Sequence, residues 1–175
     1  AEAESKAHNV PVDQVHFHEV GAVDSVVDIV SVAVCLDDLD VTEVIVPVLW
    51  EGRGTVRCQH GILPIPVPAV ANIVSANHLH LKMTEVEGEL VTPTGAAIVA
   101  AVKTKDKLPE TFEIQKIGIG AGKRQYECPG ILRAMIISQS AETDEAKAQS
   151  EEFKNPEIGN NPKAENQETK DTIIK

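Results

Sequence analysis

Apolar residues recur at helical spacing between Val23 and Leu39. The apolar positions are Val26, Val27, Val30, Val34 and Leu36, and they are interspersed with Asp24, Asp28, Asp37 and Asp38. This period predicts an amphipathic helix. The β-branched run from Val41 to Leu49 follows at once and predicts a strand. A helix that leads directly into an apolar strand is typical of an α/β layer, so we expect a parallel or mixed sheet.

The segments on either side of this helix give shorter signals. Residues 1–10 are typical of the last turns of a helix that begins upstream of this chain, and Gln14–Phe17 favours a short strand. Glycines and prolines interrupt residues 51–67 so often that we expect a structured loop there instead of a regular element. Pro68 suits the first turn of a helix continuing over Ala69–Ala76, because its missing amide proton would have no partner there.

The second half of the chain contains a further helix and three strands. A strand is predicted over His80–Thr84, and a small helix is predicted from Pro93 to about Val102, with Thr92 as its N-cap. Two more strands are predicted over Phe112–Ile117 and Ile131–Ile137. A glycine-rich turn joins them like a long hairpin.

The composition divides the chain after residue 138. Residues 139–175 are rich in Glu, Lys, Asn, Gln and Ala with almost no apolar clusters, so burial cannot offset the entropy lost on ordering. We expect a disordered acidic tail or linker there. Residues 1–138 are expected to form one α/β (α+β) domain, a mixed sheet with packed helices. Aromatic residues make up only 3% of the chain, so its core must be aliphatic.

Net charge and cysteine content limit the classes of partner and the cellular compartment expected for this chain. The formal net charge of -11 argues against nucleic acid as a partner, because such binding depends on clustered Lys and Arg. The three cysteines form no CxxC pair, which fits a reducing compartment. The sequence shows neither an apolar run long enough for a bilayer nor a signal peptide, so a soluble cytoplasmic protein without a membrane partner is expected.

The densest group of candidate metal ligands precedes the first long helix. His16, His18 and Glu19 form an HxHE string, and Asp24 follows near the helix start. Imidazole suits nickel, zinc and iron, and carboxylates complete such sites or act as bases. The alternative is that the histidines form a hydrogen-bonded strand end and that Asp24 only stabilises the helix N-terminus. The spacing is not diagnostic, so both interpretations stay open.

The glycine-punctuated segment carries a second candidate group. Arg53 and Arg57 supply guanidiniums that can hold a phosphate or carboxylate, with help from backbone amides. Cys58 is either a soft metal ligand or an inert core residue, and His60 is either a base or a ligand. This segment is therefore a candidate anion site.

Three weaker motifs follow. Thr92 and Thr94 stand at a helix N-terminus, where free amides and hydroxyls form a local anion site, although simple capping explains them as well. Residues 118–124 are glycine-rich and basic but fit no phosphate-loop spacing, so they predict a hairpin tip. His78 and His80 lie among apolar neighbours and are interpreted as structural.

Four strings occur in one order, HFHEVGAVDSVVDIV, GTVRCQHGILPIPVPA, ELVTPTGAAIVAA and IGIGAGKR, and together they closely resemble the LarC-type nickel insertion proteins. The resemblance extends over residues 1–137, and four ordered motifs are far more specific than any one. It implies an enzyme that inserts nickel into pyridinium-3,5-bisthiocarboxylic acid mononucleotide and consumes CTP with a divalent cation. The product is the nickel-pincer cofactor of lactate racemase. Such an enzyme is a chelatase or cyclometallase of the lyase class.

The resemblance also suggests roles for the candidate residues. The nickel ligands would be His16, His18 and Asp24; the catalytic groups would be Glu19, His18 and His60; and the substrate-binding groups would be Arg53, Arg57, Thr92 and Thr94. Members of this family carry an upstream region and a C-terminal CTP-binding part that this chain lacks. The resemblance therefore implies a chain that is inactive alone, works with the C-terminal part of the same protein, and forms a homo-oligomer. The alternatives are a nickel-holding or scaffolding subunit without catalytic groups, and a phosphate-ligand binding module.

Overall fold

The computed structural model describes residues 1–15, 23–58, 61–139 and 172–174 of the 175-residue chain. The helices are α1 (Glu2–His8), a short 3₁₀ helix (Val12–Gln14), α2 (Val23–Asp38), α3 (Pro68–Ala76) and α4 (Pro93–Val102). The strands are β1 (Glu43–Ile45), β2 (Leu49–Arg53), β3 (Thr55–Cys58), β4 (Gly61–Pro64), β5 (Leu81–Glu87), β6 (Glu113–Ala121), β7 (Ile131–Ser138) and β8 (Thr172–Ile174). The predicted α/β class is confirmed.

The strands form one mixed sheet and two small pairs. In the larger sheet the order is β1-β8-β7-β6, with β1 parallel to β8 and the other neighbours antiparallel. Strands β2 and β5 pair in parallel, and β3 and β4 pair as an antiparallel hairpin. The predicted long hairpin of β6 and β7 is thus confirmed, but residues 118–121, which were predicted to belong to its tip, continue β6 and pair with β7.

The helices predicted over residues 23–39, 69–76 and 93–102 are confirmed, and local chemistry explains the starts of α3 and α4. Helix α3 begins at Pro68, and α4 follows Thr92, whose Oγ1 accepts a hydrogen bond from the Gly95 amide at 3.1 Å. Proline is tolerated in a first helical turn because no intrahelical acceptor exists for its missing amide proton. The polar cap and the proline together fix the start of α4.

Three boundary predictions were wrong. The strand expected over Val41–Leu49 divides into β1 and the start of β2, on either side of Pro47, which has no amide proton to donate to a ladder. Gln14 belongs to the 3₁₀ helix instead of a strand, and residues 16–17 lie outside the described part of the chain. The segment after Glu51 that was expected to be a loop contains β3 and β4. Its side chains alternate in exposure with the period of a strand. In that hairpin Pro64 ends its strand, where a missing donor is tolerated.

The core lies between α3, α4 and strands β1 and β2. Its fully or largely buried members are Val44, Val46, Leu49, Val67, Val70, Leu79, Val91, Ala96 and Val99. A smaller cluster joins Ile45 and Ile137 across the mixed sheet. Both clusters are aliphatic at their centres, as the scarcity of aromatic residues predicted.

Helix α2 presents an unexpected face to the core. Leu36 packs against the main cluster and Ser25 is buried. The valine face is instead exposed: Val23, Val26, Val27, Val30 and Val34. The apolar period predicted the helix correctly, but it did not identify the face that packs inward.

The predicted tail lies mostly outside the described residues. Residues 140–171 are not described, whereas Thr172–Ile174 form β8 between β1 and β7. The domain boundary at residue 138 therefore stays a prediction. None of the described helices is long and apolar enough to cross a membrane.

Candidate functional site

Most of the predicted metal and catalytic residues lie outside the described part of the chain. These are His16, His18, Glu19 and His60. Asp24 belongs to the first turn of α2 by its backbone, and its side chain is not described. The shared catalytic role suggested for His18, Glu19 and His60 therefore remains a prediction.

Arg53 ends β2 and is held by two carboxylates of β5. Its Nε donates to Glu87 Oε1 at 2.9 Å, and its Nη1 forms an ion pair with Glu85. All three side chains are at least half exposed. Solvent screening makes such pairs weak, about 0–1 kcal/mol each. An incoming anion can therefore compete with the two glutamates for the Arg53 guanidinium.

Arg57 is placed differently, on the exposed side of β3. No ion pair or hydrogen bond of its guanidinium occurs within the described residues. The Ile65 amide donates to the Gly54 carbonyl at 3.1 Å, which ties the end of the β3–β4 hairpin to the turn that follows Arg53. Arg53 and Arg57 thus lie on consecutive strands, and their joint binding of an anion remains a prediction.

Glu51 is a buried carboxylate that sequence reasoning did not select. Its side chain is fully buried, and Oε1 accepts from the amides of Gly52 at 2.8 Å, Leu90 at 2.8 Å and Val91 at 3.2 Å. Oε2 is also buried and has no hydrogen-bond partner among the described residues. This carboxylate joins β2 to the loop that leads into α4, and so brings Arg53 and Thr92 into the same region.

Gly52 allows the backbones of this region to approach closely. A Cβ atom at this position would lie 1.8 Å from the Gly88 carbonyl oxygen, which no side chain could occupy without backbone movement. The Gly88 amide in turn donates to the Arg53 carbonyl at 3.0 Å. The end of β2 and the turn after β5 are thus fixed against each other.

The threonines at the start of α4 have a structural role that is directly visible. Thr92 Oγ1 is the N-cap acceptor for Gly95, and Thr94 is partly buried in the first turn. The Glu51 carboxylate takes the amides of Leu90 and Val91, just before the cap. A carboxyl oxygen therefore already occupies the two amides that precede this helix N-terminus.

The glycine-rich hairpin tip folds back onto the same loop. Tyr126 donates its hydroxyl hydrogen to the Glu89 carbonyl at 2.7 Å, and Arg124 Nη1 donates to Glu89 Oε2 at 3.1 Å. The hydrogen bond with Tyr126 and the charge of Glu89 raise the pKa of Arg124 above its ordinary value, so its charge is constant at any physiological pH. The tip therefore braces the loop between Gly88 and Thr92.

Trp50 is the single tryptophan of the chain and precedes Glu51 on β2. Its side chain is 53% exposed, and Lys82 Nζ lies 4.2 Å from the ring centroid. The two residues are register partners across the β2–β5 pair. The Lys82 ammonium group therefore already contacts one face of the indole.

The described residues contain no group of three or more His, Cys, Asp or Glu side chains able to hold a metal ion. Cys35 is exposed, Cys58 and Cys128 are half-buried, and all three are free thiols. A contribution of Cys58 to a metal site thus depends on partners such as His60 that lie outside the described part.

The comparisons with known proteins identify the family. A family model described as nickel insertion protein matches residues 1–170. This chain belongs to that family. A pyridinium-3,5-bisthiocarboxylic acid mononucleotide nickel insertion protein of Alkaliphilus metalliredigens is 61% identical over 140 residues, which is 80% of this chain and 33% of that protein. A protein of the same name from Acetivibrio thermocellus is 46% identical over 136 residues, 78% of this chain and 33% of that protein.

A third relative is the putative nickel insertion protein of Geotalea daltonii. It is 45% identical over 144 residues, 82% of this chain and 36% of that protein. The chain thus spans about a third of the length of the curated relatives it matches. No solved structure matches this nickel insertion family member.

Proposed function

We propose that this chain forms part of an enzyme that inserts nickel into pyridinium-3,5-bisthiocarboxylic acid mononucleotide. The observation that carries the proposal is the 61% identity, over four-fifths of the chain, to a relative named for this activity. The match of the nickel insertion family model to residues 1–170 supports the same activity class.

The substrate sets two chemical demands. Thiocarboxylates are soft donors that suit nickel, whereas replacing a ring C–H bond by a nickel–carbon bond needs a group to accept the proton. We assign proton removal to Glu19, His18 or His60 and transient nickel binding to His16, His18 and Asp24. These side chains have the right chemistry, and their assignment rests on the sequence.

Binding of the anionic groups is assigned to four other residues. Arg53 and Arg57 supply guanidiniums for the phosphate or the thiocarboxylates, and Thr92 and Thr94 are the weaker candidates. Support for Arg53 comes from its exposed pairs with Glu85 and Glu87, which a doubly charged phosphate can replace. Thr92 Oγ1 already accepts the Gly95 amide hydrogen as the helix cap, which favours the arginines over the threonines as the anion site.

The remaining parts of the proposal concern the whole protein. CTP with a divalent cation would be bound by the C-terminal part, and the chain alone would be inactive. The enzyme would be a cytoplasmic homo-oligomer of the lyase class, and its product would serve lactate racemase as the nickel-pincer cofactor.

A reconstitution assay tests this function. The chain is combined with the C-terminal part, substrate, nickel and CTP, and nickel incorporation is followed by mass spectrometry. We expect His16→Ala and His18→Ala to reduce insertion by at least tenfold, because each removes a proposed ligand. His80→Ala is the matched control, since it also belongs to an HxH pair but is exposed on another segment.

Two results would contradict the proposal. If the C-terminal part and CTP insert nickel without this chain, then the chain is a scaffolding subunit or a binding module. If His16→Ala and His18→Ala both insert nickel at the parent rate, these histidines have no part in the reaction.

A further inference from the structure

The indole of Trp50 is exposed at the surface of β2. A tryptophan side chain offers a large apolar surface, and leaving half of it in water forgoes the free energy of burial. Glu51 and Gly52, which follow it along β2, are both buried. Arg53, the next residue, is the candidate anion-binding residue.

The indole face already binds a positive charge. Lys82 Nζ at 4.2 Å from the centroid is within the distance at which the negative face of an aromatic ring attracts a cation. Lysine is a flexible and strongly hydrated cation, so it is a weak occupant of such a face. A flat cation would gain stacking contact in addition to the electrostatic attraction.

We propose that Trp50 is the platform on which the cationic pyridinium ring of the substrate stacks. This rests on the proposed function, because the pyridinium ring is the feature of that substrate that selects this residue. The ring carries its positive charge in the plane of its π-system, which matches the quadrupole of the indole. Lys82 would leave the face and pair with an anionic group of the same ligand.

The position of Trp50 along β2 suits the rest of the ligand. Arg53 lies three residues further along β2, beyond a register irregularity between Glu51 and Arg53. In a regular strand this spacing would put the two side chains on opposite faces, but here two consecutive buried residues separate them and both are exposed. A ring stacked on Trp50 would leave its ribose phosphate free to extend toward the Arg53 guanidinium. The ring and phosphate sites would then belong to one strand.

The platform is also held in place. Glu51 anchors β2 through three backbone amides, and Gly52 lies against the Gly88 carbonyl. Little ordering of the backbone is needed when a ligand binds there, which lowers the entropic cost of binding.

Tryptophan fluorescence tests this directly because the chain has one tryptophan. The intact chain is titrated with nicotinic acid mononucleotide, a pyridinium nucleotide, and in parallel with adenosine monophosphate, whose ring is neutral. We expect saturable quenching by the pyridinium nucleotide and binding at least about fivefold weaker for adenosine monophosphate. Quenching that rises linearly without saturation, or equal binding of both nucleotides, would overturn the proposal.

Variants separate stacking from folding. Calorimetry should show nicotinic acid mononucleotide binding about tenfold more weakly to Trp50→Leu, with part of the affinity restored in Trp50→Phe, which keeps an aromatic face. Met83→Leu is the matched control, an exposed residue of β5 that should leave the affinity unchanged. If Trp50→Leu fails to fold by circular dichroism, Trp50→Phe and the parent titration decide the question.

The outcomes also separate this inference from the proposed function. If the reconstituted enzyme inserts nickel equally well with Trp50→Leu, the function stands and the platform is wrong. If the pyridinium nucleotide binds at Trp50 but no reconstituted complex inserts nickel, the binding site stands and the proposed function is wrong.

Discussion

Glu51 shows how one side chain connects distant parts of this chain. Its Oε1 atom accepts from amides 39 and 40 residues away, at Leu90 and Val91, as well as from Gly52. Buried amides that lose such an acceptor are costly, at about 1–3 kcal/mol for each unsatisfied group. The carboxylate therefore stabilises the junction between β2 and the loop before α4.

We predict that Glu51→Ala lowers the free energy of unfolding by about 3 kcal/mol, because three amides lose their acceptor. Glu51→Gln keeps an oxygen at the Oε1 position and should cost only about 1 kcal/mol. Denaturant unfolding followed by circular dichroism measures both values. Equal losses for the two variants would show that the charge, and not the hydrogen-bond geometry, stabilises this junction.

The contrast between Thr92 and Glu51 explains what the sequence could predict at this scale. Thr92 caps a helix that begins at the next residue, so its role depends on local chemistry and was visible in the sequence. The partners of Glu51 are brought to it by the fold. Glu51 begins the segment that was predicted as a loop, where a charged residue is ordinary, so no local pattern distinguished it.

At the scale of elements, α2 is notable because it leaves an apolar face exposed. It is a 16-residue helix whose five-valine face is exposed, with values from 53% at Val27 to 80% at Val23. Contiguous exposed apolar surface of this kind often marks a contact with another segment or protein. On its inward side, Leu36 packs against the main core cluster and Ser25 is buried.

A substitution on this face tests whether it is covered. We predict that Val30→Lys changes the free energy of unfolding by less than about 0.5 kcal/mol, as is usual for exposed sites. Val70→Ala, at a fully buried position of α3, is the comparison and should cost about 2 kcal/mol. A loss at Val30 as large as that at Val70 would mean that another part of the protein packs on the valine face.

The same helix shows why element positions were easier to predict than element orientation. Valines occur on both sides of α2, so the apolar period indicated a helix without distinguishing its inner face. The β3–β4 hairpin was missed for the opposite reason. Its glycine and proline residues suggested a loop, yet the alternation from Thr55 to Cys58 supports a strand once β4 is available as a partner.

At the scale of the whole molecule, the mixed sheet joins the first described strand along the chain to the last one. Strand β8 lies between β1 and β7 and pairs with both. No local pattern could predict this pairing, because it links Val44 with Ile173 across most of the chain. The catalytic role suggested jointly for Glu19 and His60 likewise depends on a long-range contact between segments about 40 residues apart.

We predict that deleting residues 172–175 exposes the ladder edges of β1 and β7 and promotes association between molecules. Light scattering during a thermal ramp should show aggregation beginning several degrees lower than in the parent chain. Replacing Lys175 alone by Ala is the control for the lost charge. An unchanged aggregation temperature after the deletion would mean that β8 contributes little to the sheet.

The close contact at Gly52 has a consequence for selectivity. Two backbones meet there without room for even a methyl group, so the strand that carries Trp50 and Arg53 has almost no freedom to adjust its contour. If a ring stacks on Trp50, as proposed, it would meet a strand whose backbone shape is already set. Selection among ligands would then depend on how well each ring fits that shape.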